Sequence, residues 1–283
     1  MRVRGILLCG AFGFMAAAPV EAQPQAAGSE EAAKDQVFKD IAYYPEAVRN
    51  KDAYLAERCR LDLYVPAGRK DFATVVWFHG GGLKQGGKSI PKALKNQGLG
   101  IVAVNYRLSP KAKCPAYLED AAAAVAWTLK NIHQQGGDPK KVFVAGHSAG
   151  GYLVSLITLD PSYLKVHQLD ANQIAGVFSY SGQCLTHFTI REERGDRERA
   201  LADRFAPIHH VRADAPLIVL YTGQRDLEMA GRYEENALLF SLLKAVGDKD
   251  VELHELKGGN HNSMVEPAHQ LMLARLKKIL EPS

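Results

Sequence analysis

Short runs of β-branched and aromatic residues, separated in most cases by helical patterns, set the strongest constraint on this chain. Leu61-Asp62-Leu63-Tyr64-Val65 alternates apolar and polar residues, as an early strand would. Thr74-Val75-Val76-Trp77-Phe78 and Ile101-Val102-Ala103-Val104 are continuous apolar runs, fit for strands covered on both faces. Residues 142–145, 174–178, 217–221 and 251–256 read as further strands. Helical patterns cover residues 121–132, with Asp120 placed as a cap, and residues 152–157, 233–246 and 270–280. This alternation predicts a mostly parallel sheet with helices on both faces. Such sheets bind ligands at the carboxyl ends of their strands. His79, Ser148, Asp226 and His261 each follow a predicted strand, so the topology predicts that they share one edge.

The 283 residues suit one large domain, and 47% hydrophobic content can fill a substantial core. A net charge of +4 without a sustained basic run points away from nucleic acid and anionic membranes. Arg2 and Arg4, the apolar stretch to Val20 and the small residues around Val20-Glu21-Ala22 have the form of a secretory signal over residues 1–22. The apolar stretch is shorter than the roughly 18–20 residues a membrane span needs, so no stable anchor is expected. Residues 23–36, small and polar, read as a flexible leader, and residues 37–283 as the folded domain. Cys59, Cys114 and Cys184 would remain after cleavage, and their default reading is as small buried hydrophobes. No cysteine or histidine spacing suggests a metal site.

Gly146-His147-Ser148-Ala149-Gly150 reads G-x-S-x-G at a strand-to-helix junction. A serine on that turn holds its hydroxyl clear of the backbone, and the new helix offers free N–H groups beside it. A serine hydroxyl attacks only when a base takes its proton and an acid orients the base. His261 and Asp226 fill those roles in the order Ser, Asp, His, with Glu228 as the alternative acid. His79-Gly80-Gly81-Gly82 follows the 74–78 strand. Acyl transfer needs N–H groups aimed at the developing oxyanion, and Gly81, Gly82 and Ala149 are the expected donors. The same loop runs into Gly82-Leu83-Lys84-Gln85-Gly86-Gly87-Lys88-Ser89, which fits a phosphate-cradling pattern. No later apolar strand ends directly in a magnesium-binding Asp, which counts against that reading.

Residues 182–212 break the alternation and show no strand. Glu193 and Arg197 are spaced as a helix pair would be. The apolar flank around His187 and Phe188 is a candidate pocket lining beneath a small lid. Leu83, His147, His187 and Phe188 are the candidates for substrate contact.

Taken together, His79-Gly80-Gly81-Gly82, Asn105-Tyr106-Arg107-Leu108-Ser109-Pro110, Gly146-His147-Ser148-Ala149-Gly150-Gly151, Asp226 and His261 resemble the α/β-hydrolase superfamily in its carboxylesterase and lipase branch. Within it the chain looks most like exported bacterial esterases similar to feruloyl esterases, and like arylformamidases. The resemblance implies the α/β-hydrolase fold with a small lid-like insertion, and a structural role for Arg107. It also implies a serine hydrolase that cleaves small-molecule or glycan-linked carboxylic esters without a cofactor. Many relatives carry an aromatic residue where Leu83 stands, which weakens the case for an aromatic acyl group. An amide-type hydrolase using the same residues, an arylformamidase or a peptidase, is the alternative. A non-catalytic binding module on the same fold is the third reading.

Overall fold

Eight strands form one sheet: β1 (Gln36–Ala42), β2 (Arg60–Val65), β3 (Phe72–Phe78), β4 (Gly100–Val104), β5 (Gly137–His147), β6 (Gly176–Tyr180), β7 (Ile218–Gly223) and β8 (Val251–Leu256). Their order across the sheet is β1-β2-β4-β3-β5-β6-β7-β8. The β1–β2 and β2–β4 pairs are antiparallel, and every pair from β4 to β8 is parallel. The helices are α1 (Glu46–Arg49), α2 (Ala53–Arg58), α3 (Ala116–Asn131), α4 (Ala149–Leu159), α5 (Ser162–Lys165), α6 (Phe188–Glu193), α7 (Arg232–Ala245) and α8 (Val265–Leu280). This computed structural model describes Met1 and residues 34–281. Residues 2–22 of the expected signal segment and residues 23–33 of the expected leader lie outside the described residues.

Side-chain alternation divides the central strands between two cores. Val76, Phe78, Val102, Val104, Val142 and Val144 face one core, which also takes residues of α3, α4 and α7. Val75, Trp77, Ile101, Phe143 and Ala145 face the other, together with Ala268, Met272 and Leu276 of α8. The continuous apolar runs are therefore explained by helices on both faces. Every residue of α4 is buried, so this helix is core on all sides rather than amphipathic.

The sequence reading places most strands within a few residues, and the differences have local causes. β1 pairs only with β2 and is largely exposed, so its residues lack the apolar signature of the inner strands. Asp35 already belongs to this edge, accepting hydrogen bonds from the Tyr64 hydroxyl and from the Ala67 N–H. Asp120 does not cap α3. The helix begins four residues earlier, and Asp120 lies inside it, fully buried and bonded to Arg107 and Tyr44. Arg107 thus ties the β4 exit to α3, the structural role implied for it.

The chain steps from β3 outward to β4, then back across to β5, so the topological switch falls between β3 and β5. Phe78 at the end of β3 aligns with Gly146 near the end of β5. The loop after β3 and the turn after β5 are thereby brought side by side at the carboxyl edge, the place where open parallel sheets bind ligands.

Candidate active site

Ser148 sits between β5 and α4 with φ 56° and ψ −114°, a conformation that residues with a side chain rarely adopt. Two glycines make the sharp turn sterically feasible. A Cβ on Gly150 would lie 2.1 Å from the Phe78 carbonyl oxygen, and one on Gly146 would lie 2.5 Å from the Gly150 carbonyl carbon. The turn therefore packs against the end of β3 at backbone contact distance.

His261 reaches Ser148 from the loop after β8. Its Nε2 lies 2.9 Å from Ser148 Oγ, and its Nδ1 lies 2.7 Å from Glu228 Oε1. The Glu228 side chain is fully buried, and burial pushes its pKa up. The hydrogen bonds from His261, the Met229 N–H and Ser181 outweigh burial and hold it down at about 2. Glu228 is thus a carboxylate near neutral pH and can only accept, so the proton lies on His261 Nδ1. In the neutral ring Nε2 is then free to accept the Ser148 proton. The other carboxylate oxygen, Oε2, accepts from Ser181 Oγ at 2.7 Å and from the Gly223 N–H at 3.1 Å.

Asp226, the expected acid, is exposed and is not brought to His261. The loop after β7 explains the exchange. The N–H groups of Leu227 and Glu228 both donate to the Gln224 carbonyl, at 2.8 and 2.9 Å. This turn leaves 225–227 in solvent and carries residue 228 inward.

Ser181 was missed by the sequence reading. It follows β6, with a backbone φ of 50°, and its hydroxyl lies 3.1 Å from His261 Nδ1 as well as against Glu228. Its carbonyl accepts from the buried Arg232 guanidinium. The available signal was its position after a strand end, the criterion that selected His79, Ser148 and His261.

His147 lines the site beside Ser148, and its Nε2 donates to the His261 carbonyl at 2.7 Å. Burial lowers its pKa to about 4, so the ring stays neutral while it holds the His261 backbone.

A cleft of about 830 Å³ opens over Ser148. His79, Gly81, Gly82, His147, Phe188 and His261 are among its lining residues. Ala149 is buried as the first residue of α4, where its N–H has no acceptor within the helix. Helix α6 covers one side. Thr189 Oγ1 donates to the Gly82 carbonyl at 2.5 Å, and a Cβ on Gly82 would lie 3.0 Å from the Phe188 ring. Helix α6 of the irregular segment is thus fastened to the glycine loop and resembles a short lid.

Two expected substrate contacts lie elsewhere. Leu83 is wholly buried in the core, because the chain turns inward at a φ of 61° just past Gly82. His187 is buried behind the lid, where its Nδ1 accepts from the Thr189 N–H and caps α6. The expected Glu193–Arg197 pair does not form, because α6 ends at Glu193. Glu193 accepts from the Cys114 N–H, and Arg197 pairs with Glu192 at 3.0 Å. Lys88 of the phosphate-loop pattern is engaged by Asp40 and Asp62, at 2.8 and 2.5 Å. Cys59 and Cys184 are buried and Cys114 is half-buried, all as free thiols. Among the described residues no cluster of His, Cys, Asp or Glu is built to hold a metal.

The BD-FAE family model matches residues 61–183, the stretch that carries the glycine loop and the Ser148 turn. A carbohydrate esterase from gut microbiota, solved in truncated form, superposes with a TM-score of 0.71 at 18% identity over 88% of this chain and 98% of that one. The chain has the α/β-hydrolase fold and is similar to the BD-FAE family over residues 61–183. Thermogutta terrifontis esterase 2 phosphonylated by sarin shares the α/β-hydrolase fold, with a TM-score of 0.67 at 22% identity over 79% of this chain and 92% of its own. Among curated sequences, a probable isoprenylcysteine alpha-carbonyl methylesterase of Oryza sativa subsp. japonica is 27% identical over 240 residues, covering 73% of this chain and 55% of the relative. The chain spans about half the length of the first curated relatives it matches.

Proposed function

We propose that the protein is a serine hydrolase that cleaves carboxylic esters through an acyl-enzyme. The observation that carries this reading is the continuous hydrogen-bonded path from Glu228 through His261 to Ser148. In the first step Ser148 Oγ attacks the ester carbonyl carbon while His261 Nε2 takes its proton. The imidazolium so formed is steadied by the Glu228 carboxylate. Negative charge develops on the former carbonyl oxygen, and the N–H groups of Gly81, Gly82 and Ala149 are the donors assigned to it. His261 then returns the proton to the departing alkoxide, leaving Ser148 acylated. Water, deprotonated by the same imidazole, releases the acid and restores the hydroxyl. The esterase names among the relatives support an ester over an amide. The N-terminal Arg2, Arg4 and apolar run support export of the protein.

The test compares the wild type with Ser148→Ala, using short-chain aryl esters beside formyl-anilides and labelling by a fluorophosphonate. Ester turnover and labelling should both be lost with the fold retained. Near-native ester hydrolysis by the variant would refute the assignment. Faster cleavage of the formyl-anilide would move the reading to an amidase.

A further inference from the structure

The charged side chains lining the cleft are Lys84 and Arg197, and no carboxylate lines it among the described residues. Lys84 stands on the glycine loop, two residues past Gly82. Arg197 belongs to the lid segment, with its guanidinium 5.6 Å from the centre of the Phe188 ring. Glu192 lies between the two cations, 2.6 Å from Lys84 Nζ and 3.0 Å from Arg197. Glu198 is 3.6 Å from Arg197 Nε, with 94% of its side chain in solvent. A lysine ammonium has three donors and a guanidinium five, so Glu192 leaves most of them available. The floor of the cleft adds positive potential, because α4 begins immediately after Ser148. The cleft rim thus presents two cations bridged by Glu192, with spare donors on each and an aromatic ring beneath one of them.

We infer that the site is specific for esters bearing a carboxylate near the scissile bond, held by the Lys84 and Arg197 donors at the cleft rim. This deepens the ester-hydrolase reading and rests on it. A neutral ester can accept only weaker bonds from these donors, whereas a carboxylate pairs with their charge and can bind the guanidinium through two bonds. The chemistry is the same whether the carboxylate is on the acyl or the alcohol portion, so the experiment has an arm for each.

The acyl arm compares the 4-nitrophenyl half-ester of glutaric acid with its methyl-capped neutral analogue. The alcohol arm compares 3-acetoxybenzoate with its methyl ester. In at least one arm kcat/KM should favour the carboxylate by about tenfold or more at low ionic strength, carried mainly by KM. The preference should shrink in about 0.5 M sodium chloride, where exposed charges are screened within a few ångströms. Lys84→Met should reduce the ratio, and Arg197→Glu should reduce or invert it. Both residues are partly exposed, and a ratio of two rates within one variant is independent of how much protein folds. Equal or faster cleavage of the neutral esters in both arms overturns the inference and leaves the ester-hydrolase reading standing. Cleavage of no ester, with Ser148 inert to fluorophosphonate, overturns both.

Discussion

Glu228 and His261 form a charge-assisted hydrogen bond of 2.7 Å between Oε1 and Nδ1, at the junction of the loops after β7 and β8. The bond places one proton unambiguously, because a carboxylate held at about 2 cannot donate near neutral pH. Glu228→Gln keeps the shape but removes the charge, and its amide N–H can donate a hydrogen bond to an unprotonated Nδ1 and so favour the wrong tautomer. The expected loss in kcat is about 10²–10⁴-fold. Asp226→Asn changes an exposed side chain and should stay within about twofold of wild type, as surface substitutions away from a site do. Steady-state kinetics of the two variants side by side decide the matter, and the reverse pattern would sink the assignment.

The sheet was legible because burial on both faces demands apolar runs, and β3, β4 and β5 carry them openly. β1 was hidden because an exposed edge strand needs no such run. Ser148 and His261 were legible through their positions after strand ends. The choice between Asp226 and Glu228 was not. It depends on two backbone hydrogen bonds to the Gln224 carbonyl, and carboxylates two residues apart look alike in sequence. Leu83 and His187 were misplaced for a related reason. Adjacent residues in a loop can face opposite ways, and no periodicity reports which. Arg197 and Lys84 carry no sequence signal of their own, since their approach requires the lid to fold back over the glycine loop.

Asp120 is buried with no exposed side-chain surface, and it accepts from Arg107 Nε at 2.9 Å, Arg107 Nη2 at 2.8 Å and the Tyr44 hydroxyl at 2.9 Å. Arg107 also reaches Asp52 at 3.0 Å. Asp120→Ala leaves a largely buried guanidinium with only the half-exposed Asp52 as its carboxylate partner, and removing one partner of a buried pair costs about 3–5 kcal/mol. Denaturant unfolding should show that loss as a lower midpoint with an unchanged slope. A loss below about 1 kcal/mol, the range of exposed pairs, would mean that the pair is not structural.

Thr189 joins the lid to the glycine loop through its 2.5 Å bond to the Gly82 carbonyl. Thr189→Val preserves volume and removes the donor. The peptide that carries Gly82 can then tilt, and a displaced oxyanion donor weakens stabilisation in the transition state more than in the ground state. The expected result is a fall in kcat of about tenfold, smaller than the 10²–10³-fold cost of deleting a donor, with KM nearly constant. An unchanged kcat would show that the lid does not position the loop.

Histidines held neutral by burial, His187 among them, make stability fall in acid. Burial lowers the pKa of His79, His147 and His269 to about 4 in each case. The hydrogen bonds fit neutral rings, with His79 Nδ1 donating to the Gly80 carbonyl at 2.7 Å and its Nε2 accepting from Arg58 at 3.3 Å. In the unfolded chain each ring has a pKa of about 6.5. Between these values the unfolded state binds more protons than the native one, so stability rises with pH across that window. The contribution is fully present above about pH 6.5 and is lost progressively as pH falls toward 4. Glu228 adds a second acid-sensitive step, present above the ordinary glutamate pKa and lost as pH drops toward 2. Thermal unfolding should therefore give a plateau in Tm above about pH 6.5 and a steady decline below it. His269 is packed against Trp77 and Tyr180 and does not line the cleft, which makes it the cleanest of the three for a test. His269→Phe should lower the acid slope of unfolding free energy by up to one proton's worth, about 1.4 kcal/mol per pH unit. A Tm that stays level from pH 7 to pH 4.5 in the wild type would contradict the burial of these rings in neutral form.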